Sequence, residues 1–333
     1  MAANLRRQGI DKVEGGQHLC LPLKRFASQS PNGTHICFVY PVLGPPAGDA
    51  ANIFHGQDNT VDILQDVARQ AVAALAALHS RGICHGDEER LLSLLKEPKT
   101  VDNRIREDSH PTPEIPYAPK YLVFSVDFPG DVDPSAILPR TQVIDFGQSF
   151  DISHRPLPAA FGIPTNYAAP EVILDGSGSV AMDLWSLGCT LYEIRLGRRL
   201  FNVPQMIRLV EADYVYTLAA LLGEPPEPWA EYCVESDDES DAETSSSNSS
   251  SENDEDEDAC IEPQVERARS IQEKLGSCQD CTWQECAHPQ FQLISEAEAA
   301  TLADLLEKLL RYRPEERLSA QDVLEHPWFH TKY

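Results

Sequence analysis

From Thr60 to Ser80 apolar residues return every three or four positions. Ile63, Val67, Ala71, Ala74 and Leu78 form one line, and Leu64, Ala68, Val72 and Leu75 widen it. That period predicts a helix with Gly82 placed to end it, and so broad a stripe predicts that the helix is buried. Upstream, Gln17–Lys24 and His35–Val42 read as two strands joined through Ser30-Pro-Asn-Gly33, a strong turn sequence, so a hairpin is expected. Val143 and Ile144 predict a short strand that delivers a carboxylate, Asp145, just before a turn at Gly147. Trp185, Leu187, Cys189, Leu191 and Ile194 predict an apolar central helix beginning at Asp183. Ser295 and Glu298 form a capping box ahead of Leu302, Leu305, Leu306, Leu309 and Leu310, and Ser319 caps a final helix. Met1 to Gly16 is polar and shows no clear period.

Composition changes the picture in three ways. At 333 residues and 42% hydrophobic content, the chain can hold one large domain or two small ones. Much of its formal charge of −26 sits in one run, Glu235 to Asp258, which has almost nothing apolar to bury and is expected to be a disordered insert. So acidic a chain is expected to be monomeric, to repel nucleic acid and anionic membranes, and to attract basic partners. No apolar stretch reaches the roughly 18 residues that span a bilayer, and the N-terminus lacks the apolar segment of a signal peptide, so cytosol or nucleus is the expected compartment. The nine cysteines lie mostly on apolar segments, as reduced core thiols do. Cys278, Cys281, Cys286 and His288 gather soft ligands, but their spacing departs from the usual two-plus-two zinc arrangement and an irregular linker is the simpler reading.

The chemistry-bearing residues come in a fixed order: Cys84-His-Gly-Asp87, Asp145-Phe-Gly147, Ala169-Pro-Glu171, Asp183-Leu-Trp-Ser-Leu-Gly188 and Arg317. That order resembles the large lobe of a eukaryotic protein kinase. His-Gly-Asp, together with Glu88–Thr100 and Pro119–Asp127, is similar to the SR protein kinases, fungal ones in particular. The resemblance implies an α+β, protein kinase-like fold, mostly the helical C-terminal lobe with a remnant small-lobe hairpin. It divides the chain into an unassigned segment 1–16, a hairpin and hinge 17–48, a large lobe 49–232, an acidic insert 233–262 and C-terminal helices 263–333. It also implies ATP and Mg2+ as cofactors and Arg/Ser-rich proteins as substrates and partners. Asp87 would be the catalytic residue that orients the substrate hydroxyl, and Asp145 would bind nucleotide and metal. Tyr40 would guard the back of the nucleotide pocket, with the Pro41 carbonyl and Leu43 amide facing adenine. Glu171 would pair with Arg317, and Asp183 would hold the backbone of the catalytic loop. Taken alone, the residues allow Asp87 to cap a helix over Glu88–Leu95 and allow 17–42 to be an ordinary buried hairpin.

The sequence also departs from that family. Two and five residues after Asp87, where the family has a Lys and a magnesium-binding Asn, stand Glu89 and Leu92. Leucine has no oxygen to offer a hard cation. A Gly-x-Gly-x-x-Gly loop and a Val-Ala-Ile-Lys strand are absent, and the lone Gly15-Gly16 pair has no strand before it. Three readings stay open. One is an SR-type kinase that is N-terminally incomplete and impaired, through truncation or a faulty gene boundary. The second is a pseudokinase acting as an interaction module for basic Arg/Ser-rich partners. The third is an unrelated acidic scaffold.

Overall fold

The computed structural model describes residues 2–30, 33–41, 43–86, 100–102, 121–123, 138–158, 160–203, 211–233, 270–276 and 294–333. Asp87, Glu89, Leu92, the acidic run 235–258 and the Cys278 group lie outside the described residues. The segment without a visible period contributes two side chains, Leu5 and Ile10, to the core. It forms helix α1 (Ala2–Arg7) and two single 3-10 turns at Ile10–Lys12 and Gly16–His18. Leu5 and Ile10 are fully buried, and with Leu19, Leu21, Ala74, Leu78, Ile83 and Phe146 they make an apolar cluster of their own. Gly15 allows the approach: its φ is +82°, and a Cβ there would meet the Ala73 carbonyl oxygen at 2.0 Å.

Strand β1 runs Lys24–Ser30 and pairs antiparallel with β2, Gly33–Val39, in a register from Lys24 opposite Val39 to Ser30 opposite Gly33. The expected hairpin is therefore present, but both strands are displaced from their expected positions. Pro22 has no N–H to give a ladder, so pairing starts beyond it, and Pro41 accounts for the other end. Leu19, Cys20 and Leu21, expected in the first strand, are instead buried beneath the Val143 segment. Nor is this a buried hairpin: Phe26, Ile36, Phe38 and Val39 are exposed.

A short helix, α2 (Ala50–Ile53), leads into α3 (Thr60–His79), the expected buried helix, whose Leu64, Ala68, Val72, Ala74 and Leu78 lie out of contact with water. Four very short strands follow, β3 (Ile83–Cys84), β4 (Thr100–Asp102), β5 (Tyr121–Val123) and β6 (Phe150–Asp151). β3 pairs antiparallel with β6, and β4 with β5. The strand expected at Val143–Ile144 is reduced to a single parallel bridge between Val143 and Leu19.

The remaining helices are α4 (Pro170–Leu174), α5 (Val180–Leu196), α6 (Glu211–Leu222), α7 (Ile271–Gly276), α8 (Glu296–Leu309) and α9 (Ala320–Leu324). α5 lies at the centre, packed on α3 and α8, and is buried around most of its circumference. It starts three residues before Asp183 because the Ser179 hydroxyl accepts the Ala181 N–H. Ser295 and Ser319 cap α8 and α9 as expected, each hydroxyl accepting an N–H from the residue three positions on. The Glu298 side chain does not complete the expected box. It crosses to Arg195 of α5 in a fully buried two-pronged pair, both contacts 2.7 Å. Among the described residues no helix is long and apolar enough to cross a membrane.

Candidate active site

The end of β3 and the turn after Ile144 are held together by a network centred on one buried carboxylate. Asp183, near the start of α5, accepts the N–H of His85 at 2.7 Å and that of Gly86 at 3.1 Å. His79, at the end of α3, donates its Nε2–H to the same carboxylate at 3.0 Å. Burial would push the Asp183 carboxyl up, but the His79 hydrogen bond and charge, with His85 and the Gly86 N–H, outweigh it and hold it below the ordinary value. The expected role of Asp183 is thus present in the geometry. The part played by His79 escaped the sequence reading, although its position in the last turn of α3, six residues before His85, was the available signal.

His85 ties this network to the carboxylate turn. Its Nε2–H donates to the Ile144 carbonyl at 2.8 Å, and its ring meets Phe146 edge-on with centroids 5.3 Å apart. Burial keeps the imidazole below its usual pKa, hence neutral. The Ser149 hydroxyl donates to the His85 carbonyl at 2.8 Å. Gly86 has φ +75°, and a Cβ there would stand 2.9 Å from the Gln148 carbonyl oxygen, so the two loops touch backbone to backbone. Asp87 itself lies outside the described residues; the residue before it is fixed by Asp183.

Asp145 is the exception in the backbone: among the described residues it is the one non-glycine with positive φ, 57°. Its Oδ1 accepts the Gly147 N–H at 3.0 Å, and the carboxylate faces solvent. Left-handed geometry costs a non-glycine residue about 1 kcal/mol or more, so it persists only where the surroundings hold it. Here they do, through the His85 bond to Ile144 before it and the burial of Phe146 after it. The segment leading in is clamped as well. The Val143 N–H donates to the His18 carbonyl at 2.7 Å, the Cys20 N–H to Val143 at 2.8 Å, and Thr141 bonds both Gln70 and Val67 of α3.

Tyr40 comes near this carboxylate. Burial raises its phenol, and the neighbouring Cys20 and Asp145 raise it further. Pro41 is exposed and Leu43 half-buried. An exposed, oxygen-only group such as the Asp145 carboxylate suits a hard cation, and Tyr40 and Leu43 offer apolar surface for a base. Among the described residues the exposed Asp145 carboxylate therefore fits one metal contact. A cavity of about 330 Å3 is lined by Gln142, Val143 and Ile144 and bounded also by Asp49, Tyr167, Glu193 and Arg199. There the Tyr167 hydroxyl donates to Glu193.

Downstream, the expected pair is made: the Arg317 guanidinium grips Glu171 with two contacts of 2.6 and 2.7 Å, both side chains buried. Arg317 also donates to the carbonyls of Ala181, Arg311 and Tyr312 and lies over the Trp185 ring at 5.2 Å. One arginine thus fixes α4, α5 and the approach to α9.

Residues 131–329 match the protein kinase domain family. The chain is 27% identical to the serine/threonine-protein kinase AFC1 of Arabidopsis thaliana, over 97% of this chain and 60% of that one. It is 23% identical to the serine/threonine-protein kinase SRPK of Physarum polycephalum, over 92% of this chain and 70% of that one. The dual specificity protein kinase CLK1 of Homo sapiens is 23% identical over 89% of this chain and 50% of its own length. The chain thus spans between half and about two thirds of the length of these relatives.

Proposed function

For a chain that belongs to the protein kinase family, we propose a serine/threonine kinase of the SR-protein-kinase type, working on serines of Arg/Ser-rich proteins and impaired in turnover. The observation that carries the reading is the pair of loops joined at Gly86 and Gln148. One loop presents Asp145 in a strained, outward geometry, and the other is anchored by Asp183 one residue before Asp87. Phosphoryl transfer asks mainly for positioning and charge stabilisation, and this arrangement is a positioning device.

Asp145 would hold Mg2+ through a carboxylate oxygen, with Tyr40, the Pro41 carbonyl and the Leu43 amide along the base. Bound Mg-ATP would supply the phosphoryl group and the neutralising charge. Asp87 would orient the serine hydroxyl and accept its proton. Basic Arg/Ser-rich substrates suit the charge of −26. Impairment follows from Leu92, which gives no oxygen to a second metal, and from Glu89, which adds negative charge beside the phosphates. The same two residues favour a second reading, a pseudokinase that holds basic partners without turnover.

The full chain assayed with Mg-ATP and an Arg/Ser-repeat peptide separates these readings. The proposed kinase turns over more slowly than about 1 per second, the lower end for kinases, and loses activity in Asp145→Asn and Asp87→Ala. Turnover at or above that rate would remove the impairment. Zero turnover with Mg2+-dependent binding of a fluorescent ATP analogue, weakened by Asp145→Asn, would select the pseudokinase. No nucleotide binding at all would overturn the kinase, and failure to hold the Arg/Ser-repeat peptide as well would overturn the pseudokinase.

A further inference from the structure

Strands β3 and β6 pair at Ile83 with Asp151 and at Cys84 with Phe150. Carried one step further, the same register sets His85 opposite Ser149, and a second step sets Gly86 opposite Gln148. Backbone groups do not carry the ladder on. The His85 and Gly86 N–H groups both turn to the Asp183 carboxylate, and Gly86, at φ +75°, has left the extended conformation. A side chain continues the pairing instead: the Ser149 hydroxyl donates to the His85 carbonyl at 2.8 Å, across 64 residues of chain. His85 is 1% exposed, so its polar groups need partners inside the protein, and this hydroxyl is one of them.

His85 thereby holds the Asp145 turn at both ends. Its ring donates to the Ile144 carbonyl at 2.8 Å, one residue before Asp145, and its carbonyl accepts Ser149, four residues after. The left-handed Asp145 is thus bridged by a residue that stands two positions before Asp87 in the chain. The two ends are held differently. The Ile144 bond and the edge-on Phe146 contact both act through the imidazole, which can turn about its own side-chain bonds. Ser149 acts through the backbone of His85, and Gly86 and Asp87 follow from that backbone. The Asp145 carboxylate accepts the Gly147 N–H, a bond inside the turn that does not anchor it to the neighbouring loop.

We propose that Ser149 is a positioning residue for phosphoryl transfer: its hydroxyl ties the Asp145 turn to the backbone that leads into Asp87. It thereby sets the spacing between the carboxylate assigned to Mg2+ and the one assigned to the serine proton. The inference rests on the kinase reading above and adds to it a residue outside the motifs that carried that reading. In-line transfer depends on alignment, and a displacement of about 1 Å can cost about a hundredfold in rate. Drift of the turn misaligns the reacting groups without removing a contact to peptide or nucleotide, so the effect falls on kcat rather than on KM.

The test joins steady-state kinetics of the full chain, with Mg-ATP and the Arg/Ser-repeat peptide, to amide hydrogen exchange of the free protein. Ser149→Ala should lower kcat about tenfold and leave the KM for peptide and for ATP within about twofold of wild type. Ser149→Thr keeps the hydroxyl on a residue that suits a strand end, and should bring kcat back to within about threefold of wild type. Thr301→Val is the control for loss of a bond as such: it removes a hydroxyl-to-carbonyl contact of 2.9 Å on α8 and should leave kcat unchanged. In the free protein, Ser149→Ala should speed exchange across residues 144–150 about tenfold, and Thr301→Val should leave that segment as in wild type. Unchanged kcat in Ser149→Ala, a loss confined to KM, or threonine as poor as alanine overturns the proposal. A wild type without turnover removes the kinase reading, and the tie between the loops is then upheld by faster exchange in Ser149→Ala and overturned by equal exchange.

Discussion

Arg317→Ala removes the guanidinium that joins three parts of the helical core. It leaves the Glu171 carboxylate, whose side chain is 4% exposed, without its two-pronged partner. It also strips hydrogen bonds from the Ala181, Arg311 and Tyr312 carbonyls and removes the cation over Trp185. Breaking one side of a buried pair costs about 3 to 5 kcal/mol, mostly through the charge left behind. For a domain of this size each kcal/mol is worth roughly 2 to 4 °C, so melting should fall by roughly 6 to 20 °C. Differential scanning calorimetry measures it, with Glu171→Gln and the double variant Glu171→Gln, Arg317→Ala closing a cycle. The double variant should be less damaged than the sum of the singles, because the neutral amide needs no counter-charge. Arg317→Lys should fall between wild type and alanine, since an ammonium cannot fill both prongs. A melting temperature within about 2 °C of wild type for Arg317→Ala would refute the reasoning, because that is worth less than about 1 kcal/mol.

Two further predictions concern the loops. Gly86→Ala must place a Cβ 2.9 Å from the Gln148 carbonyl oxygen at φ +75°, so it should destabilise by about 1 to 3 kcal/mol in urea unfolding. Gly44→Ala, with nothing within 4 Å of the added carbon, should stay within about 0.5 kcal/mol of wild type. The second concerns pH. The folded pKa of His85 is depressed by burial, so the unfolded state binds the proton first, and the stability it contributes is full above about pH 6.5 and declines as pH falls. His85→Gln, neutral throughout and still able to donate to Ile144, should lose less melting temperature between neutral pH and pH 5 than wild type does; equal slopes would exclude His85 as the source.

The sequence by itself determined the parts whose physics is local. The three-and-four period of α3 survives any context because it describes one face of one helix, and Ser295 and Ser319 cap their helices through hydroxyls that reach only three residues along. The order of Asp145, Glu171, Asp183 and Arg317 was legible too, and with it the lobe. What only the tertiary structure decided is where the chain meets itself at long range. Leu5 and Ile10 lie in a segment that shows no period, and become core because Gly15 lets that segment lie against Ala73, in a cluster shared with Phe146. Glu298 fits a cap by spacing, yet its carboxylate goes to Arg195, 103 residues away, since a buried guanidinium must be neutralised and the cap N–H can be left to water. Leu19 to Leu21 have the composition of a strand and are not one, because Pro22 and a burial site beneath Val143 outweigh propensity. The left-handed Asp145 is the clearest case: nothing in Asp-Phe-Gly demands that conformation, and it is imposed by His85 from one side and the Phe146 pocket from the other.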